Sequence, residues 1–127
     1  MPPSGSRPGS SRRIAAERGG QRGEALAALF LRLKLYRILA RRFRTPVGEI
    51  DLVAERWGTI VFVEVKTRAR GTAEEQTLEA VNTRRIVQAA EYWLMKHPDH
   101  AGCTLRFDVV LVSRARWPLH HVDAFRP

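Results

Sequence analysis

The sequence predicts an α/β domain in which a mixed β-sheet is flanked by helices, in the order α-β-β-β-α-β-β. Three observations predict it. Two stretches, Glu24 to Leu35 and the one between Asn82 or Thr83 and Pro98, are rich in helix formers with apolar residues at helical spacing. Other, shorter stretches alternate or run apolar as strands do. Between them lie turn residues, above all Thr45-Pro46-Val47-Gly48 and Trp57-Gly58. Helices packed on a mixed sheet bury the apolar sides of both kinds of element.

Taken in order, residues 1–22 are rich in Pro, Gly, Ser and Arg without apolar periodicity, and read as a flexible basic tail. Residues 23–127 are then a single domain, long enough for one core. Glu24 to Leu35 is apolar around most of a helical circumference and predicts a well-buried helix. Tyr36 to Arg44 mixes Ile and aromatics with Arg, as a strand exposed on one side would. In Glu49 to Glu55, Ile50, Leu52 and Ala54 are expected on one face and Glu49, Asp51, Val53 and Glu55 on the other. Trp57-Gly58 closes a hairpin onto Thr59–Val65, apolar on both faces until Glu64, the pattern of a central strand. Arg68 to Gln76 reads as a loop. Asn82 or Thr83 caps the second helix, which carries Ile86, Ala89, Ala90, Trp93 and Leu94 and stops at Pro98. Leu105–Val112 and Leu119–Phe125 supply the last strands.

Charge narrows the function. Lys plus Arg number 22 against 13 Asp plus Glu, a formal net charge of +9, and only Lys34, Lys66 and Lys96 among the basic residues are Lys. Such an excess favours a polyanionic partner, because neutralising phosphates releases condensed counterions. Nucleic acid is the leading partner; acidic membrane surfaces and plain solubility are the alternatives. The one cysteine, Cys103, excludes an intramolecular disulfide and reads as a buried structural thiol. No apolar run is long enough to span a bilayer, and the N-terminus lacks the apolar segment of a secretory signal. The expectation is a cytoplasmic protein with no membrane role.

The carboxylates carry the chemistry. Phe62, Glu64 and Lys66 share one strand face, so Glu64 and Lys66 continue a buried row to its end. A buried carboxylate needs compensation, and a Glu64–Lys66 ion pair is the plain structural reading. Asp51 adds to it. Counting out from the Trp57-Gly58 turn sets Asp51 opposite Glu64 or Val65, where two carboxylates repel unless a cation joins them. Mg²⁺ or Mn²⁺ fits such a pair, since a small divalent cation takes one or two carboxylates, keeps waters and binds phosphate oxygens. Lys66 would then stabilise charge on a phosphate. Glu24, on the helix face shared with Ala27, Ala28 and Leu31, is either a further ligand or a first-turn Glu favoured by the helix dipole. Glu49, beside the turn, reads as solvated. The four histidines lack ligand spacing for zinc. Asp108 reads as structural, paired with Arg106 or another basic residue, and Tyr92, Trp93 and Trp57 read as packing.

Two blocks, Gly48-Glu49-Ile50-Asp51-Leu52-Val53-Ala54 and Val61-Phe62-Val63-Glu64-Val65-Lys66-Thr67-Arg68, resemble the signature of the YraN-like family of uncharacterised bacterial proteins. Arg22-Gly23-Glu24 with Ala27, and Leu105-Arg106-Phe107-Asp108-Val109-Val110, match its flanking blocks. That family is similar to archaeal Holliday-junction resolvases and other nucleases of the restriction-endonuclease-like fold. The resemblance implies that Asp51, Glu64 and the Val65 carbonyl are metal ligands, that Glu24 brings a helix carboxylate to the metal, and that Lys66 is catalytic with Asp51 and Glu64. Two departures stand out. Leu35 occupies a place where the family usually has Gly, and Val81–Arg85 lacks the usual Lys, a charge that Arg84 or Arg85 would supply in another form.

The function these residues imply is metal-dependent phosphodiester hydrolysis in DNA, with branched or damaged DNA as a substrate class and Arg68, Arg84 and Arg85 as nucleic-acid contacts. Fold does not fix function, so a non-catalytic nucleic-acid-binding module and a ribonucleoprotein-associated interaction protein stand as alternatives. Cutting two symmetric strands would require two copies, which leaves a homodimer open beside a single chain.

Overall fold

The computed structural model describes residues 23–67, 77–78 and 81–127. The tail at 1–22, the expected loop after Thr67 and Arg68 itself lie outside the described residues. A helix over residues 23–33, α1, leads into β1 (Arg37–Thr45), β2 (Gly48–Arg56) and β3 (Thr59–Thr67). Helix α2 (Thr83–Lys96) and a 3-10 turn (Pro98–His100) follow, then β4 (Thr104–Val112) and β5 (Leu119–Phe125). The element order is the α-β-β-β-α-β-β of the sequence reading.

The strands lie in one sheet in the order β1-β2-β3-β4-β5. All neighbours are antiparallel except β3 and β4, which are parallel, with Thr59 opposite Thr104 and Thr67 opposite Val112. A parallel pair needs a crossover, and α2 lies on it. The helices cover opposite faces. Ala27, Ala28 and Leu31 of α1 pack on Leu52, Ala54, Val61, Val63, Val110 and Val112. Ile86, Ala89, Ala90 and Trp93 of α2 pack on Ile50, Val53, Ile60, Phe62 and Phe107. A strand covered on both sides must be apolar on both, which accounts for Ile60-Val61-Phe62-Val63 in β3.

Local chemistry sets the boundaries. Asn82 caps α2, its side chain accepting from Arg85 N at 3.3 Å. Trp57 and Gly58 have φ of 50° and 79°, the positive pair that matches a two-residue hairpin to strand twist. Leu35 ends α1 at φ 70°, and Tyr36 N donates to Leu31 O across it at 3.0 Å. The position where the resembled family carries Gly is thus a left-handed helix terminus, held here by a leucine.

Four expectations need correction. Helix α1 is not buried all round: Leu26, Leu29 and Leu33 are exposed, because only the Ala27, Ala28 and Leu31 side meets the sheet. Trp57 does not pack; it is 80% exposed, with the Arg56 guanidinium 4.4 Å from its ring centroid. Cys103 is half-buried. Finally, Ile50 does not share a face with Leu52 and Ala54 but packs with Val53 against α2. The cause lies across the ladder, where Arg42 of β1 takes φ 56° and Phe43, like Ala40 before it, joins the α2-side core. The pleat reverses at Arg42, and opposite it at Asp51.

Candidate functional site

Asp51 sits at that reversal. The β2–β3 ladder runs through Leu52 opposite Val63, and the next step outward brings Asp51 to Glu64. There the Asp51 carboxylate accepts from Val65 N at 2.7 Å. A side chain thereby takes a place that a main-chain carbonyl would hold in a regular ladder, which aims the carboxylate along the sheet. Glu24 arrives from the first turn of α1, which Gly23 seats beside Thr67: a Cβ on Gly23 would stand 3.4 Å from Thr67 Oγ1.

These three carboxyls are coupled electrostatically. Asp51 acts on both Glu64 and Glu24, raising each by its charge and by hydrogen bonding. Burial pushes the Glu64 carboxyl up to about 8; the Asp51 charge and hydrogen bond push the same way, and Lys66 opposes them. Burial also raises Asp51, against the hydrogen bonds from Val65 N–H and Glu64. Glu24 is raised by burial and then by Asp51, with Arg42 and Arg41 acting against the rise. The backbone donor on Asp51 favours its anion, so Glu64 is the partner that holds the proton. The cluster carries more negative charge than the fold neutralises.

The local cations do not close that gap. Lys66 Nζ stands 3.9 Å from Glu64 Oε1, a long contact by a side chain 35% exposed. Arg42 Nε stands 3.4 Å from Glu24 Oε2, which is buried and makes no hydrogen bond. Glu49 is exposed, 3.8 Å from Arg44 Nε, and its charge still raises Asp51 and Glu64. Arg84 and Arg85 are exposed in the first turn of α2, where Gly48 touches the helix: a Cβ there would lie 2.1 Å from the Arg85 carbonyl oxygen. The structure thus brings Asp51, Glu64, Val65, Lys66 and Glu24 to one place, with Arg85 backbone fixed against the same end of β2.

Among the described residues no group of three or more His, Cys, Asp and Glu side chains is placed to hold a metal ion. What exists is an open donor set, a carboxylate pair with a third carboxyl beside it. Openness of this kind suits Mg²⁺, which dehydrates reluctantly and needs one or two carboxylates. The charge excess and the orphaned Glu24 oxygen fit a cation equally.

Sequence reasoning missed two residues. Arg42 was unmarked because a left-handed Arg within a strand has no composition cue. His120 was set aside for want of a carboxylate at ligand spacing, yet its Nε2 lies 2.7 Å from Asp108 Oδ2. Asp108 is fully buried and also accepts from Arg106 Nε and Nη2 at 2.8 Å and from Asp123 N at 2.9 Å. Burial alone would raise its pKa, but the bonds from His120, Arg106 and Asp123 outweigh it and hold it at about 2. Arg106 donates onward to Tyr36 Oη at 2.6 Å, and Lys34 Nζ lies 2.6 Å from His120 Nδ1. This second polar cluster joins the turn after α1 to β4 and β5.

Fold and site together define a mixed α/β protein with an open cluster of carboxylates and a lysine where β2 and β3 part. The chain belongs to Uncharacterised protein family UPF0102, which it matches over residues 23–112. It is 51% identical over 120 residues to a UPF0102 protein of Rhodopseudomonas palustris strain BisB5, covering 94% of this chain and 92% of that one. A UPF0102 protein of Parvibaculum lavamentivorans is 50% identical over 114 residues, 90% of this chain and 86% of that one. One from a Chelativorans species is 50% identical over 108 residues, 85% of this chain and 87% of that one. Among the described residues no helix is long and apolar enough to cross a membrane.

Proposed function

We propose that this protein is a cytoplasmic, Mg²⁺- or Mn²⁺-dependent nuclease that hydrolyses phosphodiester bonds in DNA, with branched or damaged DNA as its substrate class. The observation that carries the reading is Asp51 set between two other carboxyls beside an incompletely engaged lysine. Asp51, Glu64, the Val65 carbonyl and Glu24 are the groups that would hold the cation. The chemistry a divalent cation supplies in such a setting is polarisation of the scissile phosphate and a lowered pKa for an attacking water. Val65 N–H fixes the Asp51 carboxylate, so the donor set is oriented before substrate arrives. Lys66 stands near the carboxylates without a short ion pair, free to offset charge that builds on the phosphate oxygens. Arg84 and Arg85 contribute positive charge at the neighbouring end of β2, and Arg68 follows Lys66 in the chain.

The excess of basic residues favours a second reading, a nucleic-acid-binding module without turnover. Cleavage assays on linear, single-stranded and four-way-junction DNA with Mg²⁺ or Mn²⁺ separate the two. Under the nuclease reading, Lys66→Ala lowers cleavage by about 10²–10³-fold, the effect of removing one electrostatic stabiliser, while DNA affinity and melting temperature stay near wild type. Binding by the wild type with no cleavage on any substrate in either metal would leave only the binding module.

A further inference from the structure

The outer edge of the sheet carries a charge pattern that the carboxylate site does not use. Among the described residues strand β1 has no neighbour on its far side, and Arg41, Arg42 and Arg44 are all exposed along it. A regular strand would alternate these residues. The positive φ at Arg42 instead sends Phe43 to the core on the α2 side and leaves Arg41 and Arg42 together on the outside, where the charges of both act on Glu24. Arg44 meets Glu49 at 3.8 Å, with both side chains more than half exposed, a contact of little energy.

The line of cations continues. Thr45 is opposite Gly48, and the backbone of Arg85 rests directly on Gly48, so the first turn of α2 abuts the end of β1. That turn holds Arg84 and Arg85, both exposed, and no acidic residue, although a helix start ordinarily favours acids. Basic side chains therefore run from Glu24 around the edge of the sheet to the start of α2.

We infer that Arg41 and Arg44 of β1 and Arg84 and Arg85 of α2 form one continuous seat for the sugar–phosphate backbone of a nucleic acid, leading it past the Asp51–Glu64 pair. The inference rests on the nuclease reading for the identity of the polyanion and extends it to a surface. Its structural rival is edge protection, since charged side chains and bulges on an edge strand also prevent sheet-to-sheet pairing.

Fluorescence anisotropy with a short labelled DNA duplex in EDTA, across a range of NaCl concentrations, tests the seat. Each phosphate contact contributes about 0.9 to the slope of log affinity against log salt, so Arg41→Ala/Arg44→Ala should lower that slope by about 1.8. The Arg84→Ala/Arg85→Ala pair should do the same, with unchanged circular dichroism and melting for both. Arg37→Ala is the control: its side chain is engaged by Glu55 at 3.0 Å, and its slope should match wild type. Unchanged slopes in the β1 variant would overturn the seat, and edge-to-edge dimers on size exclusion would identify the arginines as guards of the edge. The same preparations assayed with Mg²⁺ or Mn²⁺ on linear, single-stranded and four-way-junction DNA keep the two ideas apart. Reduced slopes without wild-type cleavage leave the seat and remove the nuclease; wild-type cleavage with unchanged slopes does the reverse.

Discussion

Asp51 and Asp108 are both strand aspartates withdrawn from solvent in the same sheet, and they are treated in opposite ways. Asp108 is given donors on every side, from Arg106, His120 and the Asp123 amide, and is held ionised far below the usual range. Asp51 is given one backbone donor and two further carboxyls, and its neighbourhood is pushed toward holding protons. A fold that can build the first arrangement has no need of the second for stability. The difference separates a carboxylate that holds the structure together from carboxylates kept short of positive charge, the condition for binding a cation or a reacting phosphate.

The largest effect expected from breaking this comparison is at Asp108. Asp108→Ala leaves Arg106 and His120 without their shared buried partner and should destabilise the protein by about 3–5 kcal/mol, read from urea unfolding. Glu64→Gln in the same assay at pH 8 should be neutral or stabilising, because it removes one charge from a repelling pair.

The pH dependence sharpens the contrast, since the two sites have opposite signs. Glu64 has an ordinary value of 4.5 and a folded value of about 8, so between them the native state holds a proton that the unfolded chain has released. Its contribution to stability is present below about 4.5 and is lost as pH rises toward 8. Asp108, lowered from 3.8 to about 2, contributes stability above about 3.8 that disappears as pH falls through 2. Unfolding free energies in EDTA should therefore fall between pH 5 and 8, by on the order of a few kcal/mol, in wild type and fall less steeply in Glu64→Gln, where only Asp51 and Glu24 still have raised values. A Glu64→Gln protein with the wild-type slope would show that the proton resides elsewhere.

Glu24 gives the smallest change in stability. Glu24→Gln keeps an amide donor for Asp51 and gives up only the Arg42 contact, so unfolding should shift by less than about 1 kcal/mol. Mn²⁺ affinity, followed by titration calorimetry, should nonetheless weaken on the order of tenfold, the scale seen when a group supporting a metal site is lost. Equal Mn²⁺ affinity would remove Glu24 from the donor set.

Much of this was legible in the sequence, for reasons that differ from element to element. The Trp57-Gly58 turn fixes the β2–β3 register by its length, and period-two alternation puts Glu64 and Lys66 on one face, so the meeting of Asp51 with Glu64 follows by counting. Helical spacing places Glu24 with Ala27, Ala28 and Leu31. The pleat reversal escaped because it rests on a left-handed Arg42, which no residue preference announces. The His120–Asp108 contact escaped because the β4–β5 ladder shifts between Phe107 and Val109, so counting from the turn does not reach it. Leucines on α1 read as buried because hydrophobicity reports a preference for cover, and the Leu26, Leu29 and Leu33 side receives none from this sheet.

The order of strands also bears on how the domain assembles. β2 and β3 are neighbours in sequence as well as in space, joined by two residues, so their pairing closes a short loop. β3 finds β4 only when Thr59 reaches Thr104, across the whole crossover that contains α2. Short closures lose less chain entropy and form sooner than long ones. Asp51 and Glu64 thus belong to the part of the sheet whose closure costs the chain least entropy. The crowding of carboxyls at the site is therefore built into the hairpin itself and does not depend on the long crossover.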